Sequence, residues 1–269
     1  MLPLVIIAFC LIFLALLIFQ RWLIYFPTKI PAAVIGQVAR EHGFGPWKNA
    51  AGEIIGWQVP AGGVATGSVL IVHGNAGCAV GRDYLAQPIH RAAEGSMDVF
   101  VLEYPGYGAR AGMPTMASLL AAAEEAFQLL PAGRLKYVVS ESIGTGVAAE
   151  LAKNHPHEVA GMALLVPYHN LAAVAQRRMW FLPAYFLLLD RFDPEECLKG
   201  YRGPVRFVVA GKDEILGPAT GVKLHDSYQG PKELQVLEEA GHNQVSGQTP
   251  AWWREVMAFW KAHGQRRDG

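Results

Sequence analysis

The stretch Val138-Val139-Ser140-Glu141-Ser142-Ile143-Gly144-Thr145-Gly146 decides how this chain is read. An apolar run, Tyr137 to Val139, predicts a strand that ends in a short polar turn. Small residues then open a helix, expected over Thr145–Lys153. A serine on a sharp strand-to-helix turn, with small neighbours two positions to either side, is the pattern of a nucleophile elbow. Such a turn holds its serine in a strained backbone conformation, and bulky neighbours would collide across it. Ser140 replaces the glycine usual before the serine, while Gly144 stands in the usual place after it. Ser140 is the poorer nucleophile candidate, because Ser142 and not a glycine follows it two positions on. By itself the pentapeptide also fits a plain strand–helix turn without chemistry.

The rest of the chain supplies what a nucleophilic serine needs. Acyl transfer requires two backbone N–H groups aimed at a developing oxyanion. The residue after the nucleophile, Ile143, offers one. The loop after an earlier strand offers the second: Val69–Val72 runs into His73-Gly74-Asn75-Ala76-Gly77, and the Asn75 amide is the candidate, with Ala76 as its neighbouring substitute. A serine also needs a base, and the base needs a carboxylate to orient it. On this arrangement the chain order is Ser, then Asp or Glu, then His. Pro204–Ala210 reads as a buried strand ending in Gly211-Lys212-Asp213-Glu214, and Leu234–Leu237 as another followed by Glu238-Glu239-Ala240-Gly241-His242. Asp213 and His242 therefore each occupy a loop past a strand, where chemistry gathers in a parallel sheet.

Competing residues have blander roles. His73 lies too early for the base and is expected to brace its loop. Glu214 reads as solvated charge, and Asp193, before Pro194, as a helix cap. His155, His157, His169, His225 and His263 lack a comparable loop context. Glu103-Tyr104-Pro105-Gly106-Tyr107-Gly108 is expected to be a turn beside the site, with Tyr107 as a wall and no chemistry.

Together these residues resemble the α/β-hydrolase superfamily, and more narrowly its membrane-anchored BEM46-like serine hydrolases. The resemblance rests on His73-Gly74-Asn75-Ala76-Gly77, Tyr104-Pro105-Gly106-Tyr107-Gly108, Ser142 in its elbow, Asp213 and Gly241-His242. Leu23-Ile24-Tyr25-Phe26-Pro27 fits the same branch. Ser140 for glycine and Glu103 for aspartate are departures. The resemblance spans roughly the whole chain. It implies hydrolysis of esters or thioesters through an acyl-enzyme but names no substrate, because one fold hosts many.

The chain has 269 residues, enough for one α/β domain and an appendage. Lys+Arg and Asp+Glu each number 23, so no nucleic-acid footprint is expected. Cys10, Cys78 and Cys197 are far apart and lack metal spacing, which favours a reducing compartment over a disulfide framework. No phosphate-binding glycine motif or zinc-ligand cluster is present in the sequence, and the chemistry needs neither metal nor organic cofactor.

Residues 2–19 carry no charge. As a helix they would extend about 27 Å at about 1.5 Å per residue, close to the about 30 Å hydrocarbon core of a bilayer. Arg21, Trp22 and Tyr25 follow as interfacial anchors would. A signal peptide fits less well, since no basic region precedes the run and no small-x-small site follows it. The expectation is a single-pass membrane protein anchored by residues 1–26. The basic residues Arg21, Lys29 and Arg40 after the run lean the domain toward the cytoplasm.

Residues 27–52 read as a connector and 53–269 as the hydrolase domain. Strands are expected over Ile54–Val59, Val69–Val72, Val99–Glu103, Tyr137–Ser140, Met162–Val166, Val205–Ala210 and Leu234–Leu237. Helices are expected over Tyr84–Glu94, Met116–Leu130, Thr145–Lys153 and Ala251–His263. The alternation predicts an α/β fold with a mostly parallel sheet and helices on both faces. An insertion at about 168–203 contains Met179-Trp180-Phe181-Leu182-Pro183-Ala184-Tyr185-Phe186. It fits a helical cap over the site, a segment dipping into a membrane interface, or an ordinary packed helix. A cap and an anchor would lean the substrate toward lipid-like esters. Two other classes compete: an inactive membrane-bound scaffold on the same fold, and a dehalogenase or epoxide hydrolase, which would place a carboxylate at the elbow.

Overall fold

The computed structural model describes residues 13–15 and 19–264. Four strands form its centre: β3 (Gly67–Val72), β5 (Leu135–Glu141), β6 (Val159–Leu165) and β7 (Val205–Ala210). Their side chains are almost continuously apolar and buried, as strands covered on both faces must be. β4 (Met97–Leu102) and β8 (Lys232–Leu237) extend the parallel set, and β1 (Gly45–Lys48) and β2 (Ile54–Val59) add antiparallel strands. The eight strands run in the order β1-β2-β4-β3-β5-β6-β7-β8.

The order turns at β3. Its sequence successor β4 lies on one side and β5 on the other. The loops leaving β3 and β5 therefore diverge and open a crevice at the carboxyl ends of the strands. Residues after β7 and β8 reach the same end.

Flanking helices close the core. They are α1 (Ala32–Glu41), α2 (Asp83–Ala92), α3 (Met116–Gln128), α4 (Gly144–Asn154), α5 (Leu171–Arg178), α6 (Ala184–Leu187), α7 (Pro194–Cys197), α8 (Pro218–Ser227) and α9 (Pro250–His263). Their starts obey local chemistry. Thr115 and Ser118 form a reciprocal capping box on α3. Thr249 caps α9 ahead of Pro250, and Asp193 caps α7 ahead of Pro194, the role expected for Asp193. α9 packs Trp260 against Tyr137 of β5, ring centroids 4.6 Å apart. The missing side chain of Gly161 makes room, since a β-carbon there would lie 2.7 Å from the Trp260 ring.

The segment expected to be a connector, 27–52, contains α1 and the edge strand β1. Pro46 sits in β1, a position proline tolerates because an edge strand has N–H groups to spare. α1 buries only Ile35 and Ala39, four residues apart, so its periodicity is faint. Between β6 and β7 the expected insertion forms the short helices α5, α6 and α7. Residues 19–24 are helical, and the chain then runs along the domain through bridges Pro27–Gly77 and Lys29–Gly108. Among the described residues no helix is long and apolar enough to cross a membrane. The apolar run 2–19, where the sequence predicts an anchor, lies mostly outside them.

Candidate active site

Ser142 stands where β5 turns into α4, with a backbone φ of 48°. A non-glycine residue adopts this left-handed region only when its surroundings enforce it. Here the Ser142 amide donates to the Leu165 carbonyl at 2.9 Å, and its carbonyl accepts from Thr145 at 2.9 Å. The small neighbours are required. A β-carbon at Gly144 would collide with the Val72 carbonyl oxygen, and one at Gly146 would meet the Phe192 ring. Gly74 of the preceding loop packs close enough that a β-carbon there would lie 3.4 Å from Ser142 Cβ. Ser140, the departure from glycine, is fully buried in the sheet opposite Val72 and Leu164. Its hydroxyl has no hydrogen-bond partner, so no base reaches it.

The loops after β7 and β8 bring their residues to the elbow. His242 Nε2 lies 3.1 Å from Ser142 Oγ, and His242 Nδ1 lies 2.8 Å from Asp213 Oδ2. The other Asp213 oxygen accepts from the amides of Ile215 and Leu216 at 2.9 and 2.8 Å, which fixes the carboxylate. Burial pushes the Asp213 carboxyl up. The hydrogen bond from His242 and the two amides outweigh it and hold the group below the usual carboxylate range. An ionised Asp213 keeps the proton of His242 on Nδ1 and leaves Nε2 free to accept from the serine. Glu214 is exposed and takes no part.

Residues 67–196 match a family model for the alpha/beta hydrolase fold. A Mycobacterium tuberculosis protein (strain H37Rv), itself uncharacterized, is 31% identical over 232 residues, covering 83% of this chain and 80% of that one. The chain belongs to the α/β-hydrolase superfamily. Protein bem46 of Schizosaccharomyces pombe is 28% identical over 190 residues, 66% of this chain and 62% of that one. Among solved structures, the Pyrococcus furiosus esterase Pf2001 superimposes with a TM-score of 0.63 at 16% identity, over 89% of this chain and all (100%) of that one.

In this α/β-hydrolase the cleft in front of Ser142 has a volume of about 400 Å³. Gly74, Asn75, Val166 and His242 line it beside the serine. Asn75, whose amide is the expected oxyanion donor, lines the cleft, and its side chain has a separate use. Its Nδ2 donates to the Ile24 carbonyl at 2.8 Å, tying the loop after β3 to the segment that enters from the N-terminus. Ile143 is the first residue past the nucleophile and is buried, with Tyr168 donating to its carbonyl at 3.3 Å.

One wall of the cleft was not legible in the sequence. Glu141, next to the nucleophile, is buried and accepts hydrogen bonds from Tyr84 at 2.9 Å and from Ser246. Arg82 lies 3.8 Å from Glu141 and donates to Tyr84 at 2.7 Å and to the Ala76 carbonyl at 2.6 Å. The cluster links the loop after β3, α2, the elbow and the His242 loop. Its members come from three distant stretches, 82–84, Glu141 and Ser246, so no local pattern announces it.

The two other aromatic and histidine expectations resolve differently. His73 braces its loop: it is wholly buried, with Nδ1 2.7 Å from the Gly74 carbonyl oxygen and its ring against Tyr104 and Tyr107. Tyr107, expected as a wall, is itself buried in that packing and does not line the cleft. Among the described residues, no group of three or more His, Cys, Asp or Glu is placed to hold a metal ion. Cys78 and Cys197 are free and buried.

Proposed function

We propose that this chain is a membrane-anchored serine hydrolase of the BEM46-like branch, cleaving carboxylic esters or thioesters through an acyl-enzyme. The observation that carries the reading is the continuous relay Ser142 Oγ, His242 Nε2, His242 Nδ1, Asp213 Oδ2. Ser142 attacks the carbonyl carbon as its proton passes to His242. The Ile143 and Asn75 amides hold the oxyanion. His242 then gives the proton to the departing alcohol or thiol, leaving an ester on Ser142. Water attacks that ester as His242 takes one of its protons, and His242 returns the proton to Ser142 Oγ as the acyl–oxygen bond breaks and the carboxylic acid leaves.

The branch assignment is supported by the likeness to Protein bem46 and by the residues Leu23 to Pro27. The anchor is supported by the uncharged run 2–19, and a cytoplasmic domain by the basic residues that follow it. A lipid-like acyl group is the expectation raised by the apolar segment 179–189, which lines a groove with Leu23 and Ile24 and not the cleft in front of Ser142. The cleft wall formed by Arg82, Tyr84, Glu141 and Ser246 is polar and suits the leaving-group side of such a substrate.

Hydrolysis of p-nitrophenyl esters from acetate to palmitate tests the reading. Turnover by the full chain, lost in Ser142→Ala, is the expected result. A folded chain that cleaves no ester or thioester, or a Ser142→Ala chain that retains turnover, contradicts it. Replacing Trp180 and Phe181 with serine should weaken activity on the long esters more than on the short ones. Equal losses would remove the cap from substrate binding.

A further inference from the structure

We propose that residues 19–26 and cap residues 180–189 form one face that seats the folded domain on a lipid bilayer; this rests on, and deepens, the reading of residues 2–19 as an anchor. The two segments are far apart in sequence and fastened together in space. The Leu189 amide donates to Gln20 Oε1 at 2.7 Å, and Arg21 Nε donates to the buried carboxylate of Asp190 at 3.1 Å. An apolar groove of about 290 Å³ lies between them, lined by Leu23, Ile24, Met179, Leu182 and Leu187.

The outer side of this joint is aromatic and open. Trp22, Trp180 and Phe186 keep 74%, 79% and 74% of their surface exposed. Leu23, Phe26 and Phe181 are exposed as well. Large apolar side chains grouped on a surface mark an interaction site, and aromatic rings at this density suit the water–lipid boundary.

Charge and chain path select the bilayer as the occupant. Neither residues 1–40 nor residues 167–189 contain an Asp or Glu, while they carry Arg21, Lys29, Arg40, Arg177 and Arg178. The one acid at the joint, Asp190, is buried and paired with Arg21, so the outer face carries no acid and its basic rim is matched to anionic headgroups. The uncharged run 2–19 also ends at this face, because Phe19 lies in the helical stretch 19–24. Whatever medium receives that run is brought against Trp22 and the cap. From there the chain passes to Gly77 and Gly108, beyond the carboxyl ends of β3 and β4, so the face stands at the end of the sheet where Ser142 opens.

Full-length protein reconstituted in phosphatidylcholine–phosphatidylglycerol vesicles provides the test. Nitroxide labels are placed singly at Trp22→Cys, Phe181→Cys and Phe186→Cys in a Cys10→Ser background. Val64→Cys serves as control, since it precedes β3 at the opposite end of the sheet. Labels on the face should relax several-fold more with oxygen than with a water-soluble nickel complex, and Val64 should show the reverse. Protein that floats with the vesicles while labels 181 and 186 behave like 64 overturns the face and leaves the anchor standing. Protein that does not float overturns both. Spin–spin broadening that persists at low protein density puts a second copy on the face and overturns the bilayer as occupant. A label-free check uses brominated phosphatidylcholine, which should quench the tryptophan fluorescence of the native chain more than that of a Trp22→Phe, Trp180→Phe chain. Equal quenching also contradicts the proposal.

Discussion

Two histidines follow strands at the same end of the sheet, each with a carboxyl nearby, and they have opposite characters. His242 lies 2.8 Å from Asp213, whose carboxyl is held low, and turns its other nitrogen to Ser142. His73 Nε2 lies 3.8 Å from Glu103 Oε1, and both groups are driven toward neutrality. Burial, followed by the charge of Arg82, pushes the His73 imidazole well below its usual range. Burial pushes the Glu103 carboxyl up to about 7, against the hydrogen bond it accepts from the Ala79 amide. The second pair is therefore no ion pair near neutral pH. A histidine beside a carboxyl becomes a base only when the carboxyl is ionised and properly placed, and when the far nitrogen faces a hydroxyl. His73 has its carboxyl at long range and its ring enclosed by Tyr104 and Tyr107.

Substitutions at the two pairs can break or sharpen this contrast. The largest effect belongs to His242→Ala, expected to lower kcat for ester hydrolysis by about 10⁴-fold or more with little change in Tm. A variant within tenfold of the native rate would end the contrast. Asp213→Asn should fall by about 10³–10⁴-fold while folding normally, because the amide holds the wrong tautomer of His242. Steady-state kinetics beside a thermal melt separates this from unfolding. At the other pair, His73→Ala should cost about 2–4 kcal/mol of stability through the cavity it leaves. Denaturant titration reads that loss, and the folded fraction should keep its rate within about tenfold. A far larger loss of rate at full stability would make His73 a participant in the chemistry.

The smallest effect is a pH dependence. A carboxyl whose folded pKa is raised from 4.5 to about 7 binds more protons in the native state than in the unfolded one across that range. Its ionisation therefore subtracts stability as pH rises from about 4.5 to about 7. Glu103→Gln should melt a few degrees above the native chain at pH 8 and lose that advantage near pH 5. An advantage that does not change with pH would mean that Glu103 is not held neutral.

The sequence made the centre of this molecule legible because its signals are local. β3, β5 and β7 each hold a run of three or four consecutive apolar residues, and each leads into the polar or glycine-containing turn that carries a site residue. Ser142 and Asp213 sit in the turns after β5 and β7, and His242 follows β8 and lies within hydrogen-bonding distance of both. What stayed hidden depends on tertiary contact. β1 is four residues long, contains a proline and is defined by pairing with β2. The cluster of Glu141, Tyr84, Arg82 and Ser246 exists only once three segments converge. The attachment of Gln20 and Arg21 to the cap joins residues about 170 positions apart, beyond any pattern of spacing.

The central claim is that Ser142 is an activated nucleophile, and fluorophosphonate labelling read by intact and peptide mass tests it most directly. The account predicts one adduct on the detergent-solubilised chain, located on Ser142, absent in Ser142→Ala and strongly slowed in His242→Ala. A well-folded native chain that takes no label, or one whose adduct maps to Ser140 or elsewhere, would contradict it.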